Sequence, residues 1–417
     1  MNSNEEIHRL VNAIALKNAS EHSGSTNVNI VLSRILSLKP ELKNELKTLI
    51  EEIRTVVDSV NRLDLEQQKK YLQNIHSIDN DIDSKSRHDQ IDSHTLPELQ
   101  MTATEVVTRF PPEPNGYPHI GHAKAAIIDE EYAKMYNGKL ILRFDDTNPM
   151  NEKLEYYEAI KNDLEWLGVK PVIIKKTSDD ILVLHDYEKK LTRNGDAYVC
   201  TCDSNEIRRL RMQQVECPCR LNIDNLDSNL ERLDKIFDGT YHQNEVIIRF
   251  RGNMQDKNTV MRDPTLFRII EVPHPILADK VQLWPTYDFA APVEDSLDGV
   301  SHALRTKEYE LRNTLYLDIL DRLELRKPLV VEFSRLEFDN MPVSKRKIKQ
   351  LLDEGLIAGW DDPRLLTLSA MRRRGFDPNA IRNFVLSLGL TLAETKPPFK
   401  ALESMNRKII HPIAIRL

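Results

Sequence analysis

Two histidines three residues apart, His119 and His122, follow a proline- and glycine-rich stretch, Pro111-Pro112-Glu113-Pro114-Asn115-Gly116-Tyr117-Pro118. Imidazoles donate to phosphate oxygens, and a pair of them can stabilise charge building up at a phosphorus centre. Three-residue spacing puts both rings on one face of a helix. Gly121 lies between them and, having no Cβ, lets an adenine or ribose approach the backbone. A lone H-x-x-H is more often two unrelated histidines, so the setting has to carry this reading. All four cysteines form a second constellation, Cys200-x-Cys202 and Cys217-x-Cys219. Two close pairs of soft ligands suit tetrahedral Zn²⁺, and four protein ligands leave no open position, so the metal would be structural. Reduced thiols without metal are the plainer alternative, because C-x-C is less diagnostic than C-x₂-C.

The elements that must hold these residues are legible around them. Residues 105–110 are a short β-rich run, the Pro/Gly loop follows, 120–136 have helical spacing, and 139–144 read as a second strand. Strand, loop, helix, strand is a βαβ unit on a parallel sheet, and a helix over about 152–167 continues the alternation. A helix N-terminus at the carboxyl end of such a strand offers free N–H groups to phosphate. From residue 194 to about 280 the pattern changes, with the cysteines and the strand-like EVIIRFR and LFRIIEV. This reads as an insertion between two halves of the sheet, which resumes at WPTYDFAAPVEDSL. A helix over about 307–323 follows, and after VVEFSRLEF the pattern is mostly helical.

The expected organisation is a helical appendage over 1–66, a polar linker over 67–100, the first half of a Rossmann-like domain over 101–193, and the insertion over 194–282. The second half spans 283–330, and 331–417 form a mobile loop and a helical domain. The fold class is α/β.

Composition excludes little else. The 417 residues carry a net charge of −7, but residues 331–417 hold fifteen Lys and Arg against ten Asp and Glu, a local +5. Such an end, with Arg372-Arg373-Arg374 within it, suits a polyanion contact on one face as well as an ordinary solvated surface. No apolar run is long enough to span a membrane, and MNSNEEIHRL is not a secretory signal. Clustered thiols and no signal lead us to expect a cytoplasmic location.

PEPNGYPHIGHAKA resembles the HIGH signature of class I aminoacyl-tRNA synthetases. RFPPEPNGY…HIGHAK followed by LRFDDTNP resembles their glutamyl/glutaminyl subgroup, and the match runs from about residue 104 to 417, roughly three quarters of the chain. The wording and the N-terminal helices look more like archaeal and eukaryotic glutamyl enzymes than the common bacterial type. The resemblance implies a HUP-type Rossmann-like catalytic domain, an inserted α+β domain that binds the tRNA acceptor end, and a helical stem-contact domain. Residues 340–347, NMPVSKRK, are similar to the KMSKS loop, with Pro342 in place of its first lysine. By resemblance, His119, His122, Ser344 and Lys345 are catalytic. Glu113, Pro114, Asn115, Gly116, Ile120, Gly121, Ala123, Lys124, Thr306, Arg335, Leu336 and Val343 neighbour ATP, which brings Mg²⁺ on its phosphates. Arg109 faces the substrate side chain, Asp145 holds the α-ammonium, and Tyr287 offers a hydroxyl, while Ala291 offers nothing polar.

Arg305 is the discriminating position. Glutamyl enzymes carry Arg there and glutaminyl enzymes an uncharged residue, and a guanidinium suits a carboxylate. The resemblance therefore implies a ligase of L-glutamate to tRNA-Glu, with tRNA-Gln as an open second acceptor. A glutaminyl enzyme, an inactive truncated tRNA-binding paralogue and a glutamyl transferase with another acceptor are the alternatives. The chain departs from the family by stopping at NRKIIHPIAIRL, about where anticodon-reading β-barrels begin. A fragment and a shortened form both fit. Pro118 stands where Leu is usual and suits a loop just before a helix. A protein partner docking on the N-terminal appendage is a further expectation.

Overall fold

The computed structural model describes residues 3–21, 24–38, 42, 46–64, 66–68, 71, 96–100, 104–221, 226–338, 341, 345–394 and 396–414. The chain divides into two units, Met1–His94 and Thr95–Leu417.

The first unit is a three-helix bundle of α1 (Ser3–Glu21), α2 (Val28–Leu38) and α3 (Leu46–Val60). In α3, Leu49, Ile53, Val56, Val57 and Val60 recur at three- and four-residue spacing, so one stripe is apolar. That stripe closes a core with Val11, Ile14, Ala15, Val31 and Ile35. The bundle reaches past residue 66, into the stretch expected to be linker. Gln68 is buried and donates to the Gly24 and Val60 carbonyls at 2.9 Å each. Most of the expected linker lies outside the described residues.

The second unit is built on parallel strands. Strand β1 (Val107–Phe110) pairs with β2 (Lys139–Phe144), and β2 with β3 (Ile173–Lys176). Helices α4 (Ile120–Met135) and α5 (Leu154–Trp166) make the crossovers. Helix α6 (Ile181–Arg193) leads into β4 (Ala197–Cys200), α7 (Ser204–Gln213), α8 (Pro218–Leu221), α9 (Leu226–Phe237), β5 (Ile247–Phe250), β6 (Thr265–Ile269) and β7 (Leu283–Pro285). Strands β4 to β7 form one antiparallel sheet. The parallel sheet then resumes. Helix α10 (Tyr287–Leu297) is followed by β8 (His302–Thr306), a 3₁₀ turn (Lys307–Arg312), α11 (Asn313–Arg322) and β9 (Leu329–Phe333), with β8 parallel to β9. The two parallel pieces meet where the Ser301 N–H donates to the Val107 carbonyl at 2.9 Å. Helices α12 (Lys345–Asp353), α13 (Leu368–Arg373), α14 (Pro378–Leu388) and α15 (Phe399–Ile410) complete the described chain.

Three boundaries of the second unit also differ from expectation, each because hydrogen bonding overrides local composition. Residues 283–285 belong to the inserted antiparallel sheet through β6, so the parallel sheet resumes only at β8. Strand β9 crosses the expected boundary at 330/331 because its register with β8 runs to Phe333. Residues 96–100 are part of the body. Leu96 and Leu99 are buried in its main core, the Leu99 N–H donates to the Tyr136 hydroxyl at 2.8 Å, and Tyr132 donates to the Pro97 carbonyl at 3.0 Å. Among the described residues no helix is long and apolar enough to cross a membrane.

Candidate active site

A cleft of about 1010 Å³ opens at the carboxyl ends of β1, β2 and β8, where an open α/β sheet binds ligands. His119 is not in the helix but caps it. Its Nδ1 accepts from the Gly121 N–H at 3.0 Å, and the His119 N–H donates to His122 Nδ1 at 3.2 Å. With both Nδ1 atoms accepting, each neutral ring carries its proton on Nε2. Burial, with Lys345 and Arg335 nearby, lowers His119 to about 3; burial and His119 hold His122 well below its usual range. The two rings pack 3.9 Å apart and line the cleft as neutral N–H donors. Gly121 has a reason the sequence did not suggest: a Cβ there would meet the His119 ring at 2.9 and 3.0 Å. The loop is pinned from the far end of the chain, since Ile120 N–H donates to Leu366 O and Leu368 N–H to Pro118 O.

Lys345 enters the same cleft from the first turn of α12. Its ammonium donates to Asn115 Oδ1 and, at 3.3 Å, to the Glu113 carbonyl, and burial lowers it to about 8. Its stem packs on Gly116, where a Cβ would meet Lys345 Cδ at 3.2 Å and Trp360 at 3.1 Å. Val343 and Ser344 lie outside the described residues.

The expected ATP neighbours divide. Glu113, Asn115, Gly121, Lys124, Thr306, Arg335 and Leu336 line the cleft. Pro114, Gly116, Ile120 and Ala123 do not; Ile120 and Ala123 are core residues behind it. Lys124 is held from behind, donating to the Ser334 carbonyl at 2.5 Å, so it ties α4 to the end of β9. Arg335 pairs with Glu308.

Arg109, Asp145, Tyr287 and Arg305 all line the cleft. Arg109 is 1% exposed, and its Nε lies 3.0 Å from Asp295 Oδ1. Arg143 donates to the same oxygen at 2.7 Å and to Asp298 at 2.7 Å, while Lys175 reaches Glu294 and Asp298 at 2.9 and 2.7 Å. These three cations stand on one face of three adjacent strands, and α10 lays its carboxylates across them. Burial alone would raise Asp295, but Arg109 and Arg143 outweigh it and bring the carboxyl down to about 2. Arg305 is different. It is 4% exposed and makes no ion pair with any carboxylate among the described residues. Its Nη1 donates to Asn313 Oδ1 at 3.0 Å, its Nε has no partner, and the rings of Tyr287, Tyr309 and Tyr316 surround it at 5.6, 5.1 and 5.0 Å. Asp145 also makes no ion pair among the described residues, and burial raises it to about 6 against the pull of Arg143. The sequence reading missed Asp295, Tyr309, Tyr316 and Asn313. No local pattern marks them, since each acts through a residue it meets only in the fold.

In the insertion the four cysteines converge. Their sulfurs lie within 4.8 Å of one another, with Cys200–Cys217 at 3.6, Cys202–Cys217 at 3.5 and Cys202–Cys219 at 3.8 Å. Bonds of about 2.3 Å to one Zn²⁺ put sulfurs of a tetrahedron about 3.8 Å apart, so the set fits. Buried Arg249 points Nη1 at Cys200 Sγ at 3.9 Å, which favours a thiolate.

A split parallel sheet with paired imidazoles and a lysine at one cleft is the arrangement that the resemblance to class I aminoacyl-tRNA synthetases implies. The family model for class I tRNA synthetases (E and Q), catalytic domain, matches residues 105–412. The glutamate–tRNA ligase of Cenarchaeum symbiosum (strain A) is 49% identical over 405 residues, 97% of this chain and 70% of that protein. That of Nitrosopumilus maritimus (strain SCM1) is 49% identical over 415 residues, 99% and 72%. The solved glutamate–tRNA synthetase of Elizabethkingia anophelis shares the fold, with a TM-score of 0.52 at 19% identity over 74% of this chain and 71% of that one. The chain belongs to the class I tRNA synthetases of the glutamate and glutamine group.

Proposed function

We propose that this aminoacyl-tRNA synthetase is a glutamate–tRNA ligase, activating L-glutamate with ATP and passing the glutamyl group to the 3′ end of tRNA-Glu. The observation that carries the amino acid is Arg305, a buried guanidinium with no carboxylate partner of its own among the described residues. A γ-carboxylate supplies that partner, whereas an amide leaves the charge uncompensated. The names of the relatives at 49% identity support the same choice over glutamine.

In this reading Asp145 takes the α-ammonium, and Tyr287, with Arg109 behind it, shapes the wall beside the side chain. The α-carboxylate oxygen attacks the α-phosphorus and pyrophosphate leaves, giving glutamyl-adenylate. The Nε2–H groups of His119 and His122 donate to phosphate oxygens as their charge rises, and Lys345, with Ser344 beside it in sequence, meets the departing pyrophosphate. No side chain acts as nucleophile; the contribution is positioning and charge. A terminal ribose hydroxyl then attacks the adenylate carbonyl and AMP leaves. Mg²⁺ would ride on the triphosphate, neutralising its charge. Zn²⁺ on Cys200, Cys202, Cys217 and Cys219 would pin the insertion. Reduced thiols of this kind suit the cytoplasm.

ATP–pyrophosphate exchange with glutamate and with glutamine, each with tRNA-Glu or tRNA-Gln present, tests the reading. Glutamate-dependent exchange is expected; exchange with glutamine alone overturns it, and exchange with neither favours an inactive tRNA-binding relative. Charging of the two tRNAs then decides the acceptor.

A further inference from the structure

Arg109 and Arg305 are both buried cations on the wall of one cleft, and they are held by different chemistry. Asp295 holds Arg109 with a carboxylate, 3.0 Å from Oδ1 and 3.1 Å from Oδ2. Asn313, the first residue of α11, holds Arg305 with an amide oxygen at 3.0 Å, and its Nδ2 donates to Glu332 Oε1 at 2.5 Å. The orientation of that amide is not free. Arginine can only donate and an ionised carboxylate can only accept, so Oδ1 must face Arg305 and Nδ2 must face Glu332. The amide thus fixes the guanidinium in place without neutralising it, and it occupies the carboxylate of Glu332, which stands beside Arg305 in the β8–β9 register but makes no ion pair with it.

We propose that Asn313 is a specificity-determining positioning residue: by holding Arg305 through an amide rather than a carboxylate, it keeps that cation available for an acidic substrate side chain. The proposal rests on the glutamate reading of the same site. A carboxylate at position 313 would pair with Arg305 from behind and turn it into a second Arg109, structurally fixed and electrically satisfied. An acidic substrate would then lose its advantage over the amide.

Asn313→Asp alone would set two carboxylates against each other, so the test is N313D/E332Q. In that double variant the amide introduced on β9 donates to the carboxylate introduced on α11, and the chain of hydrogen bonds is kept. E332Q alone, with Asn313 intact, is the control. The readout is calorimetric binding of the non-hydrolysable glutamyl- and glutaminyl-sulfamoyl adenosines to the full chain, which needs no turnover. With wild type, the glutamyl analogue is expected to bind the more tightly. With N313D/E332Q the ratio should shrink by roughly ten- to a hundredfold, the scale of one hydrogen bond to a charged group. The loss should fall on the glutamyl analogue, and ATP affinity should stay constant. E332Q should leave the ratio within about threefold of wild type. If the double variant keeps the wild-type ratio, or E332Q shifts it as far, Asn313 does not set the charge at Arg305 and the proposal falls alone. If wild type itself prefers the glutaminyl analogue, the substrate reading falls and takes the proposal with it.

Discussion

The carboxyl ends of β1 and β8 face one cleft, and each region carries a buried arginine toward it. On the β1 side the fold supplies every countercharge: Arg109, Arg143 and Lys175 each meet carboxylates of α10 within 3.0 Å. On the β8 side Arg305 meets an amide and three tyrosine rings. Burying a charge is costly unless it is paired, so the two arrangements have different consequences. The first has its countercharges within the chain, and removing a member harms folding. The second leaves a guanidinium held by an amide, with no carboxylate partner among the described residues, so its energetic return comes from a ligand.

Four outcomes break or sharpen this contrast, the largest first. Asp295→Ala strands two buried arginines and should cost about 3–5 kcal/mol in urea unfolding; a loss below about 1 kcal/mol would mean the β1 network is not structural. Arg305→Met should lower kcat/KM for glutamate by about 30- to 1000-fold, or 2–4 kcal/mol, the range for losing one member of a buried charge pair. Its unfolding free energy should stay within about 1 kcal/mol of wild type, because no native ion pair is lost. A large drop in stability with intact glutamate use would reverse the assignment.

The third outcome is a pH profile. Asp145, raised to about 6 mainly by burial, must be ionised to hold an ammonium, so its contribution is lost as pH falls through about 6. Lys345, lowered to about 8 mainly by burial, must be protonated to meet pyrophosphate, so its contribution is lost as pH rises through about 8. Pyrophosphate-exchange kcat/KM should therefore be bell-shaped, falling about tenfold per unit beyond each limb. Asp145→Asn should remove the acid limb and leave the alkaline one. Last, Asn115→Ala should free the Lys345 ammonium from one acceptor and change kcat by only about threefold, the scale of a single modest hydrogen bond, with KM for glutamate constant.

The β1–α4–β2 unit could be read from the chain because its parts are consecutive, and the cysteine cluster because it spans only residues 200–219. The identities of Arg109 and Arg305 were also legible, but their difference was not. Asp295 lies 186 residues beyond Arg109, and only the packing of α10 across β1 brings it there. Asn313 is eight residues from Arg305, yet nothing in its neighbourhood says that the turn folds it back. Gly121 shows the same limit. The need for a residue without Cβ is visible in the spacing, but the His119 ring that imposes it is placed by a cap, where helical spacing alone predicts a residue inside the helix. Register was the other blind spot, since Leu283–Pro285 and β9 take their sheets from partners rather than from their own composition.

Residues 96–100 carry a practical lesson for anyone dissecting the molecule. They give Leu96 and Leu99 to the interior of the body, occupy the phenol oxygens of Tyr132 and Tyr136, and offer the Gln100 carbonyl to the His302 ring at 3.1 Å. A truncation guided by the family match, beginning at 105, would discard this clasp and bare a greasy seam along α4. Expression clones of the body should instead start upstream of Leu96.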